Sequence, residues 1–204
     1  MNLEEFYKNV VYNNEHEISG WSTCYYGVWS KIINEYNYKN VAEVGIGYGL
    51  HAKNILKTTN VEKLYLIDPT KFYPNDGFAE DIMKCKSKNG DNFHELFELI
   101  NKELNPWVDR YFWYRKNSLD ITKEEIPDES LDSVFIDGDH SYDAVKNDLT
   151  FWWEKIKKGG QMLGDDYWML DVARAVDEFS NNKNIKIDFL YKPNTNYKIY
   201  RFFK

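Results

Sequence analysis

The sequence lacks the features that mark secreted, disulfide-stabilised or membrane-spanning proteins. Among 204 residues there are only two cysteines, Cys24 and Cys85, and they show no CxxC spacing. This pattern indicates neither a zinc site nor a disulfide framework. No apolar run approaches the roughly 20 residues that span a bilayer, and residues 1–10 are acidic and aromatic rather than basic and then apolar. We therefore expect a protein of a reducing, cytoplasmic compartment without a membrane span.

Positive charge is in the minority. Lysine and arginine number 26 against 33 aspartates and glutamates, which gives a net charge of −7. Non-specific nucleic-acid binding depends on basic residues that neutralise phosphates, so we expect no nucleic-acid partner. Aromatic residues, by contrast, make up 17% of the chain. Disordered chains are poor in such residues, so the composition predicts a packed globular protein.

Short apolar runs alternate with segments of helical period along most of the chain. The runs expected to form buried strands are 41–44, 64–67, 111–114, 131–136 and 161–164. Repeated alternation of strands and helices is typical of a parallel α/β sheet with helices on both faces. Residues 185–191 and 197–203 alternate as two further strands joined by a turn-rich segment, and they add an antiparallel strand to the sheet.

No repeat, low-complexity tract or linker divides the chain, so residues 1–204 are predicted to form a single domain. Residues 1–38 are expected to be a helical N-terminal segment, since apolar residues recur at helical spacing between Tyr25 and Ile33. Residues 70–90 are polar, turn-rich and long for a connection. Such loops often bind ligands, so this segment is predicted to be a lid or substrate loop.

The helix after the fourth predicted strand has a clear apolar stripe that ends at Ile156. The stripe also contains Val145, Leu149 and Trp152. Lys157 and Lys158 suit the last turn of a helix, and the pair Gly159-Gly160 suits a C-cap. The sequence therefore predicts that this helix runs through residue 158 and that the next strand begins at residue 161.

A glycine-rich segment, Glu43–Gly49, lies between the first predicted strand and the following helix. Glycines in this position let the backbone turn tightly and approach a ligand. Asp68 ends the next strand, where a carboxylate can accept hydrogen bonds from ribose hydroxyls, so the pair of features favours a nucleoside-containing cofactor. The dinucleotide fingerprint requires a glycine five residues after Gly45, but Leu50 stands there, which counts against NAD or FAD.

At these residues the chain resembles the class I S-adenosylmethionine-dependent methyltransferases. Their first motif, an acid followed by alternating glycines, is matched by Glu43, Gly45, Gly47 and Gly49. The resemblance implies a Rossmann-like, seven-stranded sheet that binds S-adenosylmethionine and releases S-adenosylhomocysteine. It also implies that Glu43 lies near the methionine ammonium group and that Asp68 holds the ribose. Asn117-Ser118, after the third strand, would contact the adenine.

Acidic residues follow the fourth and fifth predicted strands. One group lies in the segment Asp137-Gly-Asp139-His140-Ser-Tyr and the other is the pair Asp165-Asp166. Because neighbouring parallel strands end at the same edge of a sheet, these carboxylates can face one crevice. Carboxylates that converge repel one another unless a cation or a proton lies between them, and Mg²⁺ prefers oxygen ligands. Asp139 has a second interpretation, as a cap of the following helix.

This second pattern is similar to the metal-dependent O-methyltransferases that act on macrolide and aminocoumarin deoxysugars. The resemblance implies that Asp137, Asp165 and Asp166 bind Mg²⁺ or a similar divalent cation, with Asp137 also beside the cofactor. The general base would be Asp139. His140 departs from the sugar-modifying examples and suits a broader family with Asp-Gly-Asp-His, so the catalytic base is either Asp139 or His140.

The resemblance implies O-methylation of a hydroxyl on a sugar or glycan. A metal-dependent O-methyltransferase of catechol-like phenols would share the aspartates and differ in the walls of the acceptor site. A non-catalytic S-adenosylmethionine-binding scaffold is the alternative from another class, and a nicotinamide oxidoreductase is disfavoured by Leu50. We expect the acceptor to be recognised by loops, by a second copy of the chain or by a larger glycan-processing enzyme of which this is a module.

Other residues have weaker signals. Tyr167 or Trp168 could form an aromatic wall for an acceptor, or could simply cover the edge of the sheet. Tyr25, Tyr26 and the segment 72–76 could close over a ligand. The three remaining histidines are expected to pack or to lie on the surface rather than to bind a ligand; they are His16, His51 and His94.

Overall fold

The computed structural model describes residues 1–18, 26–73, 77–191 and 198–204. The helices are α1 (Leu3–Ile18), α2 (Tyr26–Glu35), α3 (Leu50–Thr58), α4 (Gly77–Lys84), α5 (Asn92–Leu104), α6 (Tyr142–Lys155) and α7 (Leu170–Lys183). The strands are β1 (Asn40–Val44), β2 (Lys63–Ile67), β3 (Tyr111–Tyr114), β4 (Leu131–Ile136), β5 (Ile156–Gly164), β6 (Asp188–Tyr191) and β7 (Lys198–Phe203). Tyr25 and the turn-rich segment expected between the last two strands lie outside the described residues.

The seven strands form one sheet in the order β3-β2-β1-β4-β5-β7-β6. Strands β1 to β5 are parallel, and β7 runs antiparallel to both β5 and β6. The predicted α/β class with one antiparallel strand is therefore confirmed. The order reverses at β1, because β2 follows on one side of it and β4 on the other, and open α/β sheets bind ligands at such a reversal.

Helices cover both faces of the sheet because alternate residues of the strands point to opposite sides. Val41 belongs to the core on the face covered by α1, α2, α3 and α5, whereas the next residue, Ala42, belongs to the core under α6 and α7. The central strand β4 is almost wholly buried, as expected for a parallel sheet that is covered on both faces. The core therefore lies in two apolar layers with the sheet between them.

Two helices of the N-terminal segment, α1 and α2, pack on the sheet. Leu3 and Tyr7 of α1 and Trp29 and Ile33 of α2 are buried in the same core. No helix among the described residues is long and apolar enough to cross a membrane.

The boundary between α6 and β5 differs from the prediction. Helix α6 ends at Lys155, and Ile156 already pairs with Leu131 in the sheet. The pairing register then shifts before Gln161, and Gly159 within this irregularity has φ 84°. The expectation that Gly159-Gly160 cap the helix was therefore wrong, because the fully buried Ile156 belongs to the sheet and the glycines form a bulge inside the strand.

The segment 70–90 contains a helix that the sequence analysis did not predict. Ala79 and Ile82 of α4 are fully buried in the core beneath α1 and α5. The chain just beyond α4 pairs with the N-terminus, where the Leu3 N–H donates to the Lys86 carbonyl at 3.1 Å. A large part of this segment is thus packed structure rather than loop. Residues 74–76, where closure over a ligand was expected, lie outside the described residues.

Candidate active site

The ends of neighbouring strands are joined by backbone hydrogen bonds at the carboxyl edge of the sheet. The Gly45 N–H donates to the carbonyl of Ile67, the last residue of β2, at 2.9 Å. The Asp137 N–H donates to the carbonyl of Val44 at 2.8 Å, and the Asp165 N–H donates to the last residue of β4 at 3.2 Å. The four loops that carry the predicted site residues after β1, β2, β4 and β5 therefore begin at the same level.

At two of the three glycines in this loop, Gly45 and Gly49, there is no space for a side chain. Gly45 has φ 82°, and a Cβ there would collide with the backbone carbonyl of Asp137. Gly47 has φ 53° and faces open space, with nothing within 4 Å of a Cβ placed on it. Gly49 precedes α3 and packs against the Ile100 side chain. The loop therefore lies tightly against the end of β4 while leaving room beside Gly47.

Asp68 directly follows β2, and its carboxylate is hydrogen-bonded to the glycine loop. Its Oδ2 accepts a hydrogen bond from the Ile46 N–H at 2.9 Å, and its Oδ1 accepts one from the Thr70 N–H at 2.6 Å. Burial raises the pKa of Asp68, and these backbone donors act in the opposite direction. The carboxylate is thus fixed at the crevice between the ends of β1 and β2.

Glu43 is buried at the end of β1 and is paired with a histidine. Its Oε1 lies 3.2 Å from Nδ1 of His51 on α3, and the two residues are 1% and 3% exposed. Burial raises the pKa of Glu43, while the nearby His51 lowers it. The second oxygen, Oε2, is buried and has no hydrogen-bond partner among the described residues. Glu43 can therefore accept a further donor, such as an ammonium group.

His51 is a site residue that the sequence analysis assigned only to packing or surface. Its ring does pack, with centroids 5.4 Å from Trp29 and 4.8 Å from Phe135. The pairing with Glu43 was the missed part. Its signal lay in its position, because the second residue of a helix that follows a glycine loop directly comes back over the end of the preceding strand.

Asn117 and Ser118 lie after β3, at the next strand end. Asn117 is exposed, and its Oδ1 accepts a hydrogen bond from Lys71 Nζ at 3.2 Å. Ser118 begins a short 3₁₀ helix, and its Oγ accepts a hydrogen bond from Trp152 Nε1 of α6 at 2.6 Å. The loop after β3 is thereby attached to α6, which follows β4.

Asp148 on α6 is a second residue that the sequence analysis missed. It is 6% exposed, and burial raises its pKa to about 6 although the nearby Ser118 hydroxyl acts in the opposite direction. Its Oδ2 lies 3.9 Å from the position that a Cβ on Gly138 would take. The signal was present in the sequence, because Asp148 falls on the apolar stripe of α6 between Val145 and Leu149.

Asp137, His140 and Asp166 form an acidic cluster that could hold a metal ion. One ligand atom from each lies within 4.8 Å of the others. His140 Nε2 is 2.9 Å from Asp166 Oδ2 and 3.7 Å from Asp137 Oδ1. The two carboxylates, Asp137 first, raise the pKa of His140 to about 10. The loops after β4 and β5 therefore do converge, as their positions predicted.

Asp165 was predicted as a ligand together with Asp137 and Asp166, but it does not belong to the cluster found among the described residues. It is buried, and its Oδ1 accepts a hydrogen bond from the Asp166 N–H at 2.9 Å. Asp166 has φ 57°, a left-handed conformation that is uncommon for a residue with a side chain. The Asp165 carboxylate thus stabilises the turn that directs Asp166 toward His140.

Asp139 is exposed and takes part in the turn that precedes α6. Its Oδ1 accepts a hydrogen bond from the Ser141 N–H at 2.8 Å, two residues further along the chain. This contact lies one residue before the helix, whose N-cap is Ser141 without a side-chain capping hydrogen bond, so Asp139 does not cap α6 itself. Of the two candidate bases, His140 belongs to the acidic cluster, whereas Asp139 is exposed and is not a member of it.

Strand β7 supports the loop that carries Asp165 and Asp166. Tyr200 is fully buried, and a side chain on Gly164, the last residue of β5, would collide with its ring. Burial and the neighbouring aspartates raise the pKa of the Tyr200 hydroxyl well above its ordinary value, so it is a neutral donor. The loop that carries Asp165 and Asp166 therefore begins in contact with the uncharged side chain of Tyr200.

Two aromatic residues follow the aspartate pair, and they have different surroundings. Tyr167 donates a hydrogen bond to Asp177 at 2.7 Å and packs against Phe189, 4.7 Å between ring centroids. Trp168 is 69% exposed, and its Nε1 donates to Asp166 Oδ1 at 2.7 Å. Of the two candidates for an acceptor wall, Trp168 is therefore the more exposed, and its side chain is bonded to a member of the acidic cluster.

Comparison with protein families gives a match over the region that contains these residues. A family described as "Methyltransferase domain" matches residues 42–167, which is more than half of the chain. A 52-residue segment is 40% identical to uncharacterized protein R132 of Acanthamoeba polyphaga mimivirus. That match covers 24% of this chain and 24% of the viral protein, so it spans only about a quarter of that relative's length.

Solved structures share the fold at low sequence identity. The O-methyltransferase NovP is similar with a TM-score of 0.61 and 19% identity, over 86% of this chain and 76% of that chain. A Staphylococcus aureus protein whose proposed assignment is caffeoyl-CoA O-methyltransferase has a TM-score of 0.62 and 13% identity, over 95% and 91% of the two chains. The N-methyltransferase NodS from Bradyrhizobium japonicum WM9 has a TM-score of 0.52 and 10% identity, over 81% and 85%. The likeness shows a shared fold and leaves the acceptor atom undetermined.

Proposed function

The chain belongs to the methyltransferase domain family, and from that premise we propose that it transfers a methyl group from S-adenosylmethionine to a sugar or glycan hydroxyl with a bound divalent cation. Its sheet has the strand order and the antiparallel strand of a class I S-adenosylmethionine-dependent methyltransferase. The observation that carries the finer proposal is the acidic cluster of Asp137, His140 and Asp166, which adjoins the glycine loop at the same edge of the sheet.

The residues around the glycine loop fit the cofactor. The buried Glu43 Oε2, which has no hydrogen-bond partner among the described residues, suits the ammonium group of the methionine part. The open space beside Gly47 admits a ligand close to the backbone, and Asp68 is held where it can accept hydrogen bonds from a ribose. Asn117 and Ser118 would contact the adenine. When bound, the cofactor supplies an electrophilic methyl group on a sulfonium centre.

The cluster fits a divalent cation through the oxygens of Asp137 and Asp166, the hard ligands that Mg²⁺ prefers. His140 Nε2 is one of the two candidates for the general base, so it is not assigned as a ligand in this proposal. A bound cation would lower the pKa of a coordinated hydroxyl and so make it a better nucleophile. Asp165 acts on the orientation of Asp166 in this proposal, through the hydrogen bond to its backbone.

Removal of the acceptor's proton falls to His140 or Asp139. His140 lies between Asp137 and Asp166, so it is close to any hydroxyl that the two carboxylates help to hold. Asp139 is exposed at the start of α6 and can reach a solvent-facing acceptor. Comparison of Asp139→Asn with His140→Ala separates them, because the variant that loses the base should lose most of the turnover and retain cofactor binding.

The solvent-exposed indole ring of Trp168 favours an acceptor with an apolar face. A pyranose ring presents such a face to an aromatic side chain while its hydroxyls remain available for coordination. A catechol-like phenol could stack on the same ring, and it remains the second candidate acceptor. Both acceptors would place a hydroxyl beside Asp166, to which the Trp168 side chain is hydrogen-bonded.

The test is transfer of a labelled methyl group to a panel of glycosides and catechols. We expect label on a glycoside, loss of transfer with EDTA, and recovery on addition of Mg²⁺. Asp166→Asn should be inactive, while Asp171→Asn, a matched change of an exposed acid on α7, should behave like the unmodified protein. Transfer only to catechols would establish the second candidate, and transfer unaffected by EDTA would contradict the role of the metal.

A further inference from the structure

Strand β3 forms one edge of the sheet, and β2 is its neighbour on the inner side. The Arg110 carbonyl accepts a hydrogen bond from a β2 N–H at 2.8 Å, and the Tyr114 carbonyl accepts one from the N–H that follows β2 at 3.2 Å. Successive residues of a strand turn their backbone polar groups to opposite sides, so the even-numbered residues pair with β2. Tyr111 and Trp113 therefore direct their N–H and carbonyl groups away from the sheet, toward the free edge.

The free edge also carries an exposed aromatic side chain. Phe112 is 44% exposed, and its ring lies 5.6 Å from that of Tyr65 on β2. The connection from β3 to β4, residues 115–130, contains the short 3₁₀ helix Ser118–Asp120 and no α-helix. Strand β3 has neither a proline nor a register shift, which are devices that protect the edges of sheets from other chains. It therefore remains open to pairing with another strand.

Opposite charges stand at the two ends of β3. Asp109 precedes the strand, Arg115 directly follows it, and both are exposed. The Arg115 guanidinium lies over the Phe97 ring with one nitrogen 3.2 Å from His94 Nδ1, and among the described residues it has no carboxylate partner. Asp109 likewise has no cationic partner within that part of the chain. An antiparallel copy of β3 reverses the order of these charges, so each acid would meet the arginine of the other chain.

We propose that two copies of this chain pair antiparallel through β3, with Phe112 at the twofold axis, and so join their two seven-stranded sheets into one. In this register Tyr111 lies opposite Trp113 of the second copy, and their outward N–H and carbonyl groups make paired backbone hydrogen bonds on both sides of the axis. Each Asp109 lies opposite Arg115 of the second copy. The two Phe112 rings, exposed in the single chain, cover each other.

The neighbouring registers satisfy fewer groups. Centring the pairing on Trp113 would place Arg110 opposite Lys116, and like charges directly opposite each other are unfavourable. Centring it on Tyr111 would leave Trp113 opposite a residue that lies outside the strand, and neither end charge would face its complement. The register centred on Phe112 is therefore the one that uses both outward residues of β3 and both charges.

The first test is sedimentation equilibrium of the whole chain, without cofactor, metal or acceptor. We expect a species of twice the 24.4 kDa of one chain that dissociates on dilution. Asp109→Arg should weaken the dimer by about tenfold or more, because it places two arginines opposite each other at both ends of the paired strands. Arg115→Asp should have the same effect. The double variant Asp109→Arg/Arg115→Asp exchanges the charges and should return to within about threefold of the unmodified protein.

Asp143→Arg is the matched control, since it makes the same charge change at an exposed position on the first turn of α6. It should leave the dimer intact. A general effect of net charge would act in the opposite direction, because each acid-to-arginine change reduces the net charge of −7 and with it the repulsion between copies.

A second test examines the register itself. Opposite residues of a non-hydrogen-bonded antiparallel pair have Cα atoms about 4.5 Å apart, a separation that a disulfide spans. In a background of Cys24→Ser and Cys85→Ser, Phe112→Cys should therefore cross-link two chains under mild oxidation. Leu119→Cys, at a position that is 49% exposed on the short 3₁₀ helix, should not.

An unmodified protein that stays monomeric up to millimolar concentration would overturn the proposal. A dimer that both single charge reversals leave unchanged, or that the double variant fails to restore, would overturn it as well, as would cross-linking at residue 119 and not at residue 112. Thermal unfolding confirms that each variant is folded. None of these measurements involves methyl transfer, so failure to methylate any acceptor would contradict the proposed function and leave this inference standing.

Discussion

Nδ1 of His51 lies 3.2 Å from Oε1 of Glu43, and both side chains are almost completely buried. A buried carboxylate is stable as an anion only where donors or cations compensate its lost hydration. His51 therefore helps to keep Glu43 ionised before any ligand arrives. This is a positioning role, because His51 acts through Glu43 rather than on the reacting atoms.

Replacing His51 should affect stability and cofactor binding together. His51→Leu removes the partner of Glu43, and we expect a loss of about 3 kcal/mol in the free energy of unfolding. We also expect S-adenosylhomocysteine to bind about tenfold more weakly, since a protonated Glu43 no longer attracts an ammonium group. His51→Asn keeps an N–H donor close to the position of Nδ1 and should restore most of the binding. Chemical denaturation and calorimetry test both effects, and wild-type binding by the Leu variant would contradict the role.

The two glycines Gly45 and Gly90 offer a matched comparison of steric contact. Both have positive φ, 82° and 77°, but a Cβ on Gly45 would strike the Asp137 carbonyl while one on Gly90 meets nothing within 4 Å. Gly90→Ala should cost about 1 kcal/mol, the strain of the left-handed conformation alone. Gly45→Ala should cost about 3 kcal/mol or more and abolish cofactor binding, because β1 and β4 must separate at the site. Equal unfolding midpoints for the two variants would contradict the close approach.

Asp148 should make the stability of the protein depend on pH. Its pKa is raised from 3.8 to about 6 in the folded state, so the folded protein retains the proton over a range where the unfolded chain has lost it. This contribution is fully present below pH 4 and is lost as the pH rises to 6. Asp148→Asn does not titrate, so at pH 8 it should be more stable than the unmodified protein by up to about 3 kcal/mol. The advantage should vanish near pH 3.5.

Denaturation curves at pH 3.5, 5 and 8 test this prediction. A variant that is less stable than the unmodified protein at pH 8 would show that the carboxylate is stabilised by contacts that an amide cannot replace.

Asp165 and Asp166 should respond differently to the same substitution. Asp165→Asn keeps an oxygen that can accept the Asp166 N–H, so the turn should survive and Mn²⁺ affinity should fall by about threefold or less. Asp166→Asn removes a carboxylate from the cluster and should lower the affinity by about tenfold or more. Calorimetric titration with Mn²⁺ measures both values. A larger loss at Asp165 would identify it as a metal ligand, as the sequence resemblance implied.

The strands and the position of the site were predictable because they depend on short-range patterns. The apolar runs at β1, β2 and β4 are buried on both faces, and the acidic residues that follow them meet because neighbouring parallel strands end together. The start of β5 was not predictable in this way, since Ile156 satisfies the apolar stripe of α6 and the sheet equally well. Only the pairing with Leu131, from a distant part of the chain, places it in β5.

The missed site residues have a common cause. His51 lies beside Glu43 and Asp148 lies near Ser118, and these partners belong to other elements that packing rather than sequence spacing brings close. His140 was predicted as a candidate base, and its approach to Asp166 across two loops depends on the left-handed turn at Asp166. Such a turn is not evident from an Asp-Asp-Tyr sequence.

Tyr200, which lies on β7 beneath Gly164, couples the antiparallel end of the sheet to the aspartate loop. Strand β7 lies between β5 and β6. If β6 and β7 separate from β5, Gly164 at the start of that loop loses its contact with Tyr200. Amide protons of β7 should therefore exchange with solvent in the same cooperative unit as those of residues 164–166. Detachment of β7, the last strand in sequence, should therefore also disrupt the cluster of Asp137, His140 and Asp166.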